Sequence, residues 1–182
     1  MRRLIQILSL LAIISPAAAQ PVRTEVTNAT TTAVDTKPNS DTVPDVYALS
    51  GQFERVLVLR FKNQADLLAG LERMAKEHKI RNAVILSGIG SVRSYHYHTV
   101  SNGTFPSRNI FVKNPTGPAD IVSMNGYVID GRVHAHITLA DPDKSFGGHL
   151  ESGTSVFTFA VVTVGVFKDG IDLSRVDDKN YR

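Results

Sequence analysis

Phe53 to Lys79 reads FERVLVLRFKNQADLLAGLERMAKEHK, and this stretch decides the fold. Its first nine residues, Phe53 to Phe61, alternate and are rich in β-branched side chains, the pattern of a strand. The period then changes. Asn63 stands where an N-cap belongs, with Asp66 three residues on in the first turn. Leu67, Leu68, Leu71, Met74, Ala75 and His78 follow helical spacing to about Lys79. Gly70 weakens such a helix by about 1 kcal/mol relative to Ala, so the helix must rely on packing its leucine face against a sheet. His78 near the helix end complements the negative pole of the dipole, a structural role.

Beyond this helix the chain reads as strands only. Ala83–Leu86 is a short buried strand ending in Ser87-Gly88-Ile89-Gly90. Further strands are expected at Val92–Val100, Asn109–Val112, Asp120–Ile129, Val133–Ala140 and Thr154–Phe167. Many strands and one main helix predict an α+β domain with a largely antiparallel sheet, spanning residues 46–168. The Gly88-x-Gly90 pair lacks the third glycine and the following helix of a nucleotide-binding loop, so it reads first as a tight turn, with a close backbone approach to a ligand as the second reading. Residues 169–182 form a polar, partly ordered tail.

On the N-terminal side the composition is different. Met1-Arg2-Arg3 is a short cationic start, Leu4–Ile14 is apolar except for Gln6 and Ser9, and Ala17-Ala18-Ala19 offers a small-x-small cleavage site. Residues 1–19 are thus expected to be a secretory signal peptide. The apolar run is about half of the roughly 20 residues needed to span a bilayer. A periplasmic or secreted protein with no membrane span after cleavage is the expectation. Residues 20–45 hold seven Thr and three Pro, no aromatic residue and no apolar period. They read as a disordered linker.

The 182 residues are 42% apolar and 20% charged, enough for one core. The net charge of +3 includes Arg2 and Arg3; without them Lys+Arg falls from 20 to 18 against 17 acidic residues, leaving +1. A nearly neutral domain lacks the cations that non-specific nucleic-acid binding requires. The absence of cysteine excludes disulfides, thiolate metal sites and cysteine nucleophiles.

Histidine is the residue type that carries chemistry here. His96 and His98 share one face of a strand, with Tyr95 and Tyr97 on the other. No third ligand lies nearby in sequence, so they read as a half-exposed aromatic strand. In His134-Ala135-His136 the two imidazoles share a face opposite Val133, Ala135, Ile137 and Leu139, about 7 Å apart along the strand. Gly147-Gly148-His149 brings back a third histidine, and two glycines let a side chain be set tightly against a neighbouring strand. Glu151, two residues on, would share the face of His149. Three histidines without cysteine suit zinc with an open coordination position, where bound water could reach a pKa of about 7. The alternative is a strand pair whose rim histidines are satisfied by hydrogen bonds.

Gly131-Arg132-Val133-His134-Ala135-His136-Ile137-Thr138-Leu139-Ala140, followed by Gly147-Gly148-His149-Leu150-Glu151-Ser152-Gly153, resembles the PPC (plants and prokaryotes conserved) domain family. The likeness runs back through Ala83–Ser91, the helix beginning near Ala65, and Leu59-Arg60-Phe61, and it covers roughly residues 53–167. It implies an α+β homotrimer, with a metal on His134, His136 and His149 as in some bacterial and archaeal members. The family is often labelled DNA-binding, but the Arg-Gly-Arg-Pro minor-groove element of its plant members does not occur in this chain. The fold also looks like that of acetolactate decarboxylase and related zinc proteins. That likeness implies a metal that polarises a carbonyl or activates water, Glu151 as acid/base or outer-shell partner, and Arg93 or Arg132 holding a substrate carboxylate. Two functions follow as expectations. One is an exported trimeric metal module for a small-molecule or protein ligand. The other is a zinc-dependent lyase or hydrolase acting on a small carbonyl acid or ester. Nucleic-acid binding is disfavoured by export, charge and the missing element.

Overall fold

In a computed structural model, residues 20–27, 40–178 and 181 are described. Among the described residues there are eight strands: β1 Val22–Thr27, β2 Phe53–Lys62, β3 Ala83–Val100, β4 Arg108–Asn114, β5 Ala119–Ile129, β6 Arg132–Ala140, β7 Ser145–Leu150 and β8 Ser155–Phe167. All the strand pairings are antiparallel. Among the described residues there is one α-helix, α1, Leu67–Glu77. The architecture is the mostly antiparallel α+β sheet with a single helix that the sequence predicts.

The long strand β3 organises the sheet. Its first half pairs with β5 and β8, and its second half with β4 and β7. Because β5 pairs β6, β6 pairs β7 and β7 returns to β3, these four strands close a ring. Outside it, β2 hangs on β8 and β1 on β4. The core is formed by the alternate side chains that the pleat turns inward: Ile85, Val92, Met124, Ile137, Leu139, Leu150, Val156 and Val162, none more than 4% exposed. Helix α1 adds Leu67, Leu71 and Ala75 to that core. Burying the two leucines contributes on the order of 4 kcal/mol. The Phe61 ring lies where a Cβ on Gly70 would sit, so the glycine that weakens the helix is also what lets β2 approach it.

Four boundaries differ from the sequence reading. Asp66, not Asn63, caps α1, its carboxylate accepting from the Ala69 amide at 2.9 Å. Ala83–Leu86 and Val92–Val100 are one strand rather than two with a turn between them. Gly90 (φ 139°) bends β3 where a Cβ would strike the Phe159 carbonyl and Ala160. Ser145–Leu150, with its two glycines, is strand β7. Within the expected linker, Val22–Thr27 forms β1, its backbone pairing along the edge of β4 although its side chains bury little. Residues 28–39 and the expected signal peptide, 1–19, lie outside the described residues.

The C-terminal segment is also more than a polar tail. Leu173 is 4% exposed. Asn82 donates from Nδ2 to the Ile171 carbonyl at 3.0 Å, and Tyr181 meets Tyr47 edge to face.

Candidate metal centre

Strand register assembles the histidines. On the outward face of the ring His136 (β6) stands opposite His149 (β7), and His149 stands opposite His98 (β3). Directly opposed residues share a face, so these three form a row across the sheet, continued on β4 by Phe111, whose ring is 4.8 Å from that of His98. His134 lies two residues from His136 on the same face, opposite Tyr127. The row can be this tight because β7 lies close against both neighbours. A Cβ on Gly147 would meet the Ile137 carbonyl, and one on Gly148 the His98 carbonyl.

His134, His136 and His149 each offer a ligand atom, and these atoms lie within 4.8 Å of one another. The rings of His134 and His136 are nearly parallel, with His149 edge-on to both. His134 Nε2 and His136 Nε2 are 3.3 Å apart. Two nitrogens each bound at 2.0–2.1 Å to one tetrahedral ion stand about 3.3–3.4 Å apart. His134 and His136 thus stand at coordination distance, and together with His149 they could hold a metal ion. His136 is exposed and its two partners are half-buried, which leaves the cluster open on its solvent side.

The local electrostatics favour the neutral ligands that a metal needs. Burial, followed by the neighbouring His98 and His134, pushes His149 down to about 4. Burial, followed by His134 and His98, also lowers His136. Both rings therefore keep a free lone pair at neutral pH.

Around this cluster stand groups of unequal legibility. Glu151 is held by its backbone amide, which donates to the His96 carbonyl at 3.0 Å. Its carboxylate meets His98 Nδ1 at 2.6 Å, and it forms a second candidate group with His98 and His149. His98 thereby belongs to the site, in contrast to its reading as part of a plain aromatic strand; the missing partners are distant in sequence and arrive only through register. His96 keeps that reading, with Nδ1 on the Ser152 carbonyl at 2.8 Å. Asp177 is the other missed residue, at 2.8 Å from His134 Nδ1 and 2.9 Å from Arg132 Nη2. No sequence signal marks it. Arg132 is thus engaged by a carboxylate of its own chain. Arg93 lines a separate cavity of about 300 Å³ with Pro115, Thr116, Pro118 and Phe157. A larger cavity, about 870 Å³, lies between β2 and α1, and none of the clustered histidines lines it.

Comparison with known proteins gives this arrangement a context. Residues 48–168 match the model of the Plants and Prokaryotes Conserved (PCC) domain. A plant- and prokaryote-conserved protein of Pyrococcus horikoshii has a similar structure, with TM-score 0.60 and 25% identity over 75% of this chain and 94% of that one. A metal-containing protein of Archaeoglobus fulgidus shares the fold, with TM-score 0.58 and 23% identity over 68% of this chain and 86% of that one. The bifunctional protein GlmU of a Synechococcus strain, JA-2-3B'a(2-13), is 26% identical over 117 residues, 60% of this chain. The chain spans about a sixth of the length of the curated relatives it matches.

Proposed function

The chain belongs to the Plants and Prokaryotes Conserved domain family, and on that premise we propose that it is an exported, trimeric module. It holds one zinc ion on His134, His136 and His149 and receives a small-molecule or protein ligand there. The observation that carries the reading is the spacing of His134 and His136 Nε2 at 3.3 Å beside His149. Zinc held by three imidazoles keeps a fourth position for water or a ligand oxygen. The surrounding protein favours the neutral form of two of the three rings, His136 and His149, and leaves the cluster open to solvent.

Export is supported by the cationic start, apolar run and small-x-small site of residues 1–19. No helix among the described residues is long and apolar enough to cross a membrane. A trimer is supported by an apolar sheet face. Val56 and Val58 on β2, Ile89 on β3 and Phe159 on β8 lie on one side of the sheet and are 44–68% exposed. Contiguous exposed apolar groups of this kind mark association surfaces. Nucleic-acid binding has no comparable support, since the chain without its first residues is near neutral.

A zinc-dependent lyase or hydrolase acting on a small carbonyl acid or ester is the second reading. It is favoured by Glu151, a carboxylate hydrogen-bonded to His98 next to the histidine cluster. In that reading Glu151 would move a proton at the ligand bound in the open position.

The test is metal analysis of the untagged 20–182 chain, with light scattering on the same sample. About one zinc per chain in a trimer, lost in His134→Ala/His136→Ala, is the expected result. Wild type free of metal after reconstitution would overturn the reading. If the zinc protein turns over 2-acetolactate or nitrophenyl esters, and chelation abolishes that rate, the enzyme reading prevails.

A further inference from the structure

The family match ends at residue 168, yet one of the residues nearest the histidine cluster lies nine positions beyond it. We infer that the C-terminal segment is a strap fastened to the metal centre, and that Asp177 is a positioning residue for the ligand His134. The inference rests on the metal reading above.

The segment leaves β8 and is pinned at two places before it reaches the site. The Ile171 carbonyl accepts from Asn82, and Leu173 is buried. A turn follows, closed by the Val176 amide on the Leu173 carbonyl at 3.0 Å. It delivers the Asp177 carboxylate to β6, where its two oxygens have separate tasks. Oδ1 meets His134 Nδ1 at 2.8 Å, and Oδ2 accepts from Arg132 Nη2 at 2.9 Å. Arg132 and His134 are two residues apart on one face of β6, so a single carboxylate reaches both.

The chemical consequence follows from the tautomers of imidazole. A neutral ring carries one N–H, and an ionised carboxylate can only accept. Asp177 therefore requires the proton on Nδ1, which leaves the lone pair on Nε2, the nitrogen that faces His136. The other tautomer would place a proton where an ion must bind. Hydrogen bonding also raises the donor strength of a ligand imidazole and fixes its plane. Arg132 keeps the carboxylate in place and occupied, so that it orients the ligand rather than replacing it. Linkage makes the effect reciprocal: an ion that binds more tightly because Asp177 is in place holds the strap down by the same factor.

The experiment compares wild type, Asp177→Ala and Asp177→Asn in the 20–182 chain. Zinc affinity is measured by chelator competition, and the His134 tautomer by nitrogen NMR of the metal-free protein. Wild type should show the Nδ1–H form. Asp177→Ala should lose that preference and bind zinc about 10- to 100-fold more weakly. Asp177→Asn keeps an acceptor oxygen and should recover to within about 10-fold of wild type. Zinc should also slow hydrogen exchange at the Val176 amide in wild type but not in Asp177→Ala. Equal zinc affinity and an unchanged tautomer in Asp177→Ala, with wild type binding normally, would overturn the strap alone. Wild type that binds no zinc would overturn the metal reading and the strap together.

Discussion

Strands β3 and β6 carry the same His-x-His spacing, and the sheet uses the two pairs differently. On β6, both His134 and His136 enter the cluster. On β3, only His98 does so, while His96 turns to the Ser152 carbonyl. Spacing supplies a shared face in both cases. What separates them is the residue set opposite each: β7 places His149 opposite both His136 and His98, whereas the residue that meets His96, just past the end of β7 at Leu150, is Glu151, whose amide donates to the His96 carbonyl. Convergence is a property of register.

The comparison breaks most completely if β7 is pushed away from its neighbours. In Gly148→Ala the new Cβ would collide with the His98 carbonyl, at a φ of 157° that side chains rarely adopt. The expected loss is about 2–3 kcal/mol of stability. Zinc affinity should fall at least about 100-fold, since displacing one ligand forfeits a share of a binding energy on the order of 10 kcal/mol. Gly103→Ala, with nothing within 4 Å of its added Cβ, is the control and should alter neither. Urea denaturation and chelator competition read both quantities. A Gly148→Ala protein with wild-type affinity would mean that the register is not what holds His149 in place.

The same distinction explains what could be read from the sequence. Periodicity gave β2, the helix, and the inward and outward faces of β6, because these depend on residues a few positions apart. His134, His136 and His149 could be named as candidates because two share a strand and the third follows a Gly-Gly pair. His98 and Asp177 could not, since their partners lie 53 and 43 positions away in the chain. Nor could β1, whose order comes from the open edge of β4 rather than from its own composition. Gly90 misled the reading because a bend within a strand and a turn between strands call for the same residue.

A finer test exploits the unequal burial of the histidines. His149 is pushed down to about 4 by burial and by its histidine neighbours, whereas an unfolded chain protonates histidine near its ordinary value of 6.5. Between those pH values the unfolded state binds the extra proton, so stability falls as pH falls. The contribution is present above about 6.5 and is lost as pH drops through about 4. Chemical denaturation of the metal-free chain between pH 7 and 4 should show this slope, and His149→Ala should make it shallower, leaving the part contributed by His136. An equal slope in the His149 variant would place the acid-sensitive group elsewhere.

The smallest effect expected separates the two histidines of β3 from each other. His98 stacks on His149 with ring centroids 4.5 Å apart and holds Glu151; it also lowers the His149 pKa. Removing it in His98→Ala should let that pKa rise toward the ordinary histidine range and free the carboxylate. Zinc binding should weaken only about three- to tenfold, the loss of an outer partner rather than a ligand. His96→Ala removes one hydrogen bond to a backbone carbonyl and should change neither the His149 titration nor the affinity. NMR titration of His149 in the two metal-free variants distinguishes them directly. If both variants shift His149 alike, the two pairs differ less than their registers imply, and β3 acts on the cluster through its backbone. If only His98→Ala does, then two identical imidazoles two residues apart have been given different roles by the residues set opposite them, His149 against one and Glu151 against the other.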